Sequence, residues 1–410
     1  MEVGSRLAEL VWGRAPSPVL RSEAAQKIQP MMLVLIVFLS TFAVPQTPPM
    51  RPQLTPTQNP SLQTESPETN DVDQQAEKEL QTGSALTRRG EFTQAIPYLL
   101  AARGRVANDY AAEFNLSICY VATGQPRHAI PLLTQLRSSG HDNADVNNLL
   151  AQAYVGDSQD EKALDALKRA ATLTHGNERL YMFVADACMG KQAYALGLEV
   201  VEVGLKNLPD SAQLHLERGM FLTLMDRFDD AKGDFELARK LAPDSEVAYI
   251  AGAEEAMYGG NVAEAVRISR EGIAKGHNNF LLRTLFGEAS LRSGITPGQK
   301  EFDEARQALE AAVSERPNYS SSQLALGKLY LLNGQTADAI VHLEEARALS
   351  PGNAAVYSNL AAAYRKQGEM QKAQDALAKL AELNQAQAER IRTAPGETKS
   401  SYTGAAPQPH

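Results

Sequence analysis

The sequence predicts an all-α solenoid of about nine stacked helix-turn-helix repeats. Two columns of small residues that recur every 34 positions predict it, together with a polar or proline-bearing break that closes each period. Such long-period self-similarity marks an array of one supersecondary unit rather than a mosaic of separate domains.

The first column runs Gly83, Ser117, Ala151, Ala185, Gly219, Ala253, Gly287, Gly327 and Ala361, with one longer step of 40 residues before Gly327. The second lies twelve residues later, at Ala95, Ala129, Ala163, Gly197, Ala231, Ala265, Ala339 and Ala373; in the seventh period Ala305 stands six residues late. Large apolar residues accompany them at Leu99, Leu133, Leu167, Val201, Phe235, Leu309, Leu343 and Leu377, with Ser269 the exception. A small residue on each helix lets two helices approach closely, and the large one fills the space left between them. Each period holds two stretches of helical periodicity, parted by breaks such as Thr123-Gly124-Gln125 and Asn333-Gly334-Gln335. Leu208-Pro209-Asp210, Ala242-Pro243-Asp244 and Arg316-Pro317-Asn318 close periods, because proline stops one helix and Asp, Asn or Ser caps the next. The six extra residues of the seventh period, about Ile295 to Lys300, read as a longer loop between its two helices.

The flanks read differently. Met31 to Val44 is an apolar run of 14 residues bracketed by Pro30 and Pro45. As a helix it would span about 21 Å against a hydrocarbon core of about 30 Å, which suits a secretory signal better than a full membrane span. Export to the periplasm or cell envelope is therefore expected, with an uncleaved membrane anchor or a cytoplasmic protein as the alternatives. Residues 1–30 form a polar extension, and translation starting at Met31 or Met32 would omit it. Residues 45–75 are rich in Pro, Gln and Thr and read as a linker, and 393–410 as a disordered tail.

The net charge of −9 opposes nucleic acid as a partner, since phosphates need a basic face. Two cysteines, Cys119 and Cys188, are too few for a disulfide framework, and both read as small core residues. No His-Glu-x-x-His, phosphate-binding Gly-Lys-Ser/Thr loop or Gly-x-Ser-x-Gly elbow occurs, so no catalytic, cofactor or metal residues are assigned. His141, His175 and His277 recur where other periods have proline and read as turn residues, because stacked turns lie too far apart to share one metal.

The repeat resembles the tetratricopeptide repeat over residues 76–392, in nine units starting at Ala76, Tyr110, Ala144, Glu178, Ala212, Glu246, Phe280, Ser320 and Ala354. Units 2, 3, 8 and 9 also carry the tyrosine of that family, as Tyr120, Tyr154, Tyr330 and Tyr364; Cys188, Ala256 and Ser290 replace it in units 4, 6 and 7. The resemblance implies a right-handed superhelix of roughly one turn, with the first helix of each unit lining a concave groove that holds a peptide or partner helix. The groove positions are then residues two, five, six, nine, twelve and thirteen of each unit. The carboxylate clamp of some family members is not matched: Leu80 and Ser84 stand where Lys and Asn would be needed, and Asp145 and Leu149 replace the next Lys and Arg.

In units 4 to 7 the groove positions are apolar and acidic: Met182, Phe183, Met189, Leu216, Met220, Leu224, Ile250, Met257, Tyr258, Leu281 and Leu285, with Asp186, Glu217, Glu254 and Glu288 among them. Flexible methionines suit adaptable apolar contacts. The expected function is a non-enzymatic protein-protein interaction scaffold in envelope assembly or secretion, binding an apolar segment that carries Lys or Arg. The alternatives are a self-assembling array joined through its terminal repeats, and a cytoplasmic co-chaperone or adaptor.

Overall fold

The structure, a computed structural model, describes residues 67–393, and the side chains of 74–389. The extension, the signal-like segment, the start of the Pro-rich stretch and the tail lie outside the described residues. Within them the chain forms helix pairs in sequence. Unit 1 comprises α1 (Pro67–Arg88) and α2 (Phe92–Ala102), unit 2 α3 (Asp109–Ala122) and α4 (Pro126–Ser138), and unit 3 α5 (Ala144–Gly156) and α6 (Asp160–Leu173). Units 4 to 6 follow as α7 (Arg179–Lys191) and α8 (Tyr194–Asn207), α9 (Ala212–Leu224) and α10 (Phe228–Leu241), α11 (Glu246–Tyr258) and α12 (Val262–Ala274). Units 7 to 9 are α13 (Phe280–Arg292) and α14 (Lys300–Glu315), α15 (Ser320–Leu332) and α16 (Thr336–Leu349), α17 (Ala354–Gln367) and α18 (Met370–Thr393). The array is an all-α solenoid of nine stacked pairs. Residues 67–75, assigned to the linker by composition, are instead helical, because Pro67 starts α1 with the fixed φ that suits a first helical position.

The small columns do what close approach requires. A Cβ on Gly287 would lie 2.4 Å from Cγ of Leu309, and one on Gly219 would lie 2.6 Å from the ring of Phe235. Ala231 and Ala339, on the second column, are buried. Caps form as the closing motifs suggest: the side chains of Ser211, Ser245 and Asn143 accept the backbone N–H of Leu214, Ala248 and Val146. A further tie secures the closing proline. In units 5, 8 and 9 the fourth residue bonds the proline carbonyl six residues back, from His215 Nε2 to Pro209 (3.0 Å), Gln323 Nε2 to Pro317 (2.7 Å) and the Tyr357 hydroxyl to Pro351 (2.9 Å). The family tyrosines bind across units, Tyr330 donating to Glu310 at 3.0 Å and Tyr364 donating to Glu344.

The turn inside each unit has one conformational demand. Its fifteenth residue has a positive φ in all nine units, at Gly90, Gly124, Gly260, Gly294, Gly334 and Gly368 but also at Ser158, Gln192 and Asp226, whose φ values are 57°, 58° and 59°. Glycine adopts this region freely, whereas the three substituted positions carry a steric cost.

The three turn histidines differ in their surroundings. His141 packs on Tyr110 and His277 on Tyr249, with ring centroids 4.6 and 5.2 Å apart, while His175 is exposed. Cys119 and Cys188 are free, buried thiols; burial pushes them up to about 11 and about 12.

The core departs from a single continuous body. It runs unbroken from Leu80 to Leu285, and smaller clusters then serve units 6 to 9. The change falls near unit 6, where Ser269 fills the place of a large apolar residue and turns its hydroxyl back to the Ala265 carbonyl. Most consecutive first helices touch along the array, whereas among second helices only α6 and α8 do so comparably. The chain therefore bends with its first helices inside.

Candidate functional site

The bend turns the first helices of units 4 to 9 onto a single cavity of about 850 Å³. Two positions, one helical turn apart, line it in every one of these units. The ninth contributes Asp186, Met220, Glu254, Glu288, Lys328 and Ala362, and the thirteenth Gly190, Leu224, Tyr258, Arg292, Leu332 and Lys366. Residues four apart lie on one face of a helix, so stacking the units aligns them into an inner double stripe.

Of the residues expected in the groove, Asp186, Met189, Glu217, Met220, Leu224, Glu254, Met257, Tyr258, Leu281, Leu285 and Glu288 meet at this cavity. Met182 and Phe183 are half-buried and outside its lining, and Leu216 and Ile250 are buried inside the array. Met182, Leu216 and Ile250 occupy the fifth position, which stays out of the cavity in units 4 to 6 and lines it only in units 7 and 8, through Thr284 and Leu324. Three of the large apolar side chains left exposed, Leu224 (42 %), Tyr258 (44 %) and Leu332 (54 %), lie along the stripe. Phe228 stacks on Tyr258 with centroids 4.9 Å apart.

The two ends of the cavity differ in charge. Asp186, Glu217, Glu254 and Glu288 come from units 4 to 7, while Arg292, Arg316, Lys328 and Lys366 come from units 7 to 9. This basic half was not found from the sequence, although positions nine and thirteen of units 8 and 9 carry its signal. Burial raises the Glu254 carboxyl to about 8, with the neighbouring Glu288 charge adding to the effect. Burial raises Glu288 to about 7, against the opposing pull of Lys328 and Arg292. Tyr258 is also raised, by burial and then by the charges of Glu254 and Glu288.

The array curves far enough for units distant in sequence to touch. Gln192, in the turn of unit 4, donates from Nε2 to the Ser350 hydroxyl at 3.1 Å, between units 8 and 9. The cavity accordingly has walls on both sides. Among the described residues no group of three or more His, Cys, Asp or Glu is placed to hold a metal ion, and no helix is long and apolar enough to cross a membrane.

Profiles described as tetratricopeptide repeat match residues 86–153 and 330–394, and a second profile of that description matches 298–354. Similar solved structures include a thermophilic TPR protein of Thermus thermophilus, at 26% identity over 44% of this chain and 96% of that chain, with a TM-score of 0.37. A tetratricopeptide repeat protein of Parabacteroides merdae is 18% identical over 71% of this chain and 99% of that one, with a TM-score of 0.41. YrrB, a TPR protein with an unusual peptide-binding site, is 16% identical over 48% of this chain and 97% of its own, with a TM-score of 0.32. No curated protein matches the chain. Its period, paired helices, small columns and matching profiles agree, and the chain is a tetratricopeptide-repeat protein.

Proposed function

We propose that this chain is a non-enzymatic scaffold that holds a segment of another protein in the groove of units 4 to 9. The observation that carries the reading is the inner double stripe, which leaves Leu224, Tyr258 and Leu332 exposed along one concave wall. Apolar side chains gathered in a concavity are the usual lining of a recognition site, and buried contacts there supply most of the holding energy. The segment is apolar with a basic side chain for the acidic half.

A photo-cross-linking amino acid at Leu224 tests this directly. A partner should be captured from that position and not from Lys232, an exposed residue of α10 on the outer helices. Capture from Lys232 alone would place the interface on the convex side and sink the reading.

Self-association is the second reading, favoured by Met370 (56 % exposed) and Leu377 (41 % exposed) on α18. Light scattering that shows a monomer at all concentrations removes it. Export is proposed from the apolar run Met31–Val44. Alkaline phosphatase fused after Ser66, ahead of α1, should be active in a bacterial host; a stable but inactive fusion contradicts export.

A further inference from the structure

Glu254 is an unusual groove residue. Its side chain is only 8 % exposed, it lines the cavity, and among the described residues no hydrogen bond or ion pair reaches its carboxylate. Without a partner it stays a neutral acid up to about pH 8, and a cation brought beside it favours the ionised form. No other acid of the acidic half combines such burial with that isolation: Asp186 and Glu217 are half-buried and have partners, Gln213 donating to Glu217 at 3.3 Å. Glu288 is half-buried one unit along, under the influence of Lys328 and Arg292.

We propose that Glu254, with Glu288 beside it, receives one lysine or arginine side chain of the bound segment and is the specificity-determining residue of the groove. This rests on the groove reading above and deepens it. The apolar walls from Met220, Leu224, Met257 and Tyr258 accept the aliphatic stem of that side chain, and the carboxylates meet its charged head. Basic residues next to Glu288 and further along the cavity set the number of charges. Arg292, Lys328 and Lys366 repel further positive charge, so the groove selects one basic residue among apolar ones and rejects a polybasic run.

The test uses the full chain, immobilised, and a library of randomised octapeptides with blocked ends. Three proteins are compared: the wild type, Glu254→Gln, and a Leu224→Trp/Leu332→Trp variant that fills the cavity. Glutamine keeps the size and polarity of the side chain and cannot ionise, so the fold is expected to survive. The wild type should retain apolar peptides enriched about tenfold in a single Lys or Arg, the scale of one charge-assisted contact. Glu254→Gln should lose that enrichment and keep the apolar preference. A retained set without basic preference, or the same preference in Glu254→Gln, overturns the assignment of Glu254 and leaves the groove reading standing. Identical retention by the wild type and the filled variant overturns the groove reading, and the Glu254 assignment with it.

Discussion

At the scale of residues, Glu254 ties stability to pH. Its carboxyl rises from an ordinary 4.5 to about 8 on folding, with Glu288 and Tyr258 as its charged or ionisable neighbours. A group whose folded value is raised costs nothing below its unfolded value. Its cost grows as the unfolded chain ionises and the folded one does not, and levels off above about 8. Glu254→Gln should therefore leave denaturation at pH 4 nearly unchanged and stabilise the array at pH 8 by roughly 2–3 kcal/mol, a discount on the full linkage value. Equal effects at both pH values contradict the burial argument. Asp226 makes a second residue-scale case. It holds the left-handed turn position with φ 59°, where six other units use glycine. Asp226→Gly should raise the unfolding free energy, measured by denaturation, by about 0.5–1 kcal/mol, since glycine removes the steric cost of that region. A loss of stability would mean that the aspartate side chain holds the turn. Sequence reading saw glycine breaks between helices. It did not see that Ser158, Gln192 and Asp226 share their conformation, because each looks like an ordinary polar turn residue until the fifteenth positions are aligned.

At the scale of elements, the seventh unit shows what periodicity reveals and what it hides. The extra length was legible as a loop. In the structure the turn grows from the three residues of unit 5 (225–227) to seven (293–299), and the second helix grows from 14 residues in α10 to 16 in α14. The loop is also anchored: Ile295 is buried in a cluster with Phe286 and Phe302. A lone apolar residue beside Pro297 and Gly298 carries no periodic signal, so composition alone reads it as linker. Ile295→Ala should cost about 2 kcal/mol, whereas deleting 296–298 should cost less than about 1 kcal/mol. Equal losses, measured by denaturation, would show that the whole insert packs. Close approach within a pair gives the next expectation. Gly287→Ala forces a Cβ to 2.4 Å from Leu309 and should cost about 1–3 kcal/mol. Apart from the Gln192–Ser350 bond, each unit packs on its neighbours, so hydrogen exchange should quicken in units 6 to 8 and stay unchanged in unit 2. Uniform loosening would contradict that locality.

At the scale of the whole molecule, the same columns that identify the repeats leave the groove's far wall unread. Small residues and closing prolines specify how one unit meets the next. The rotation per unit accumulates, and only the accumulated sum brings Gln192 to Ser350 and sets Lys328 and Lys366 at the other end of the cavity from Asp186 and Glu217. Lys328 and Lys366 stand at the same ninth and thirteenth positions that the groove uses elsewhere, so each was legible singly; that they share one cavity with Asp186 and Glu217 was not. The same holds for Leu216 and Ile250, whose apolar character fits groove and core equally until the neighbouring helix is in place. The central claim is that the concave stripe of units 4 to 9 receives the partner. Methionine methyl spectra of the full chain test it most directly, because Met189, Met220 and Met257 line the cavity and Met370 is exposed on α18. On addition of a partner segment captured at Leu224, the three cavity methyl signals should shift while that of Met370 stays. Movement of Met370 with the cavity signals unchanged would contradict the account.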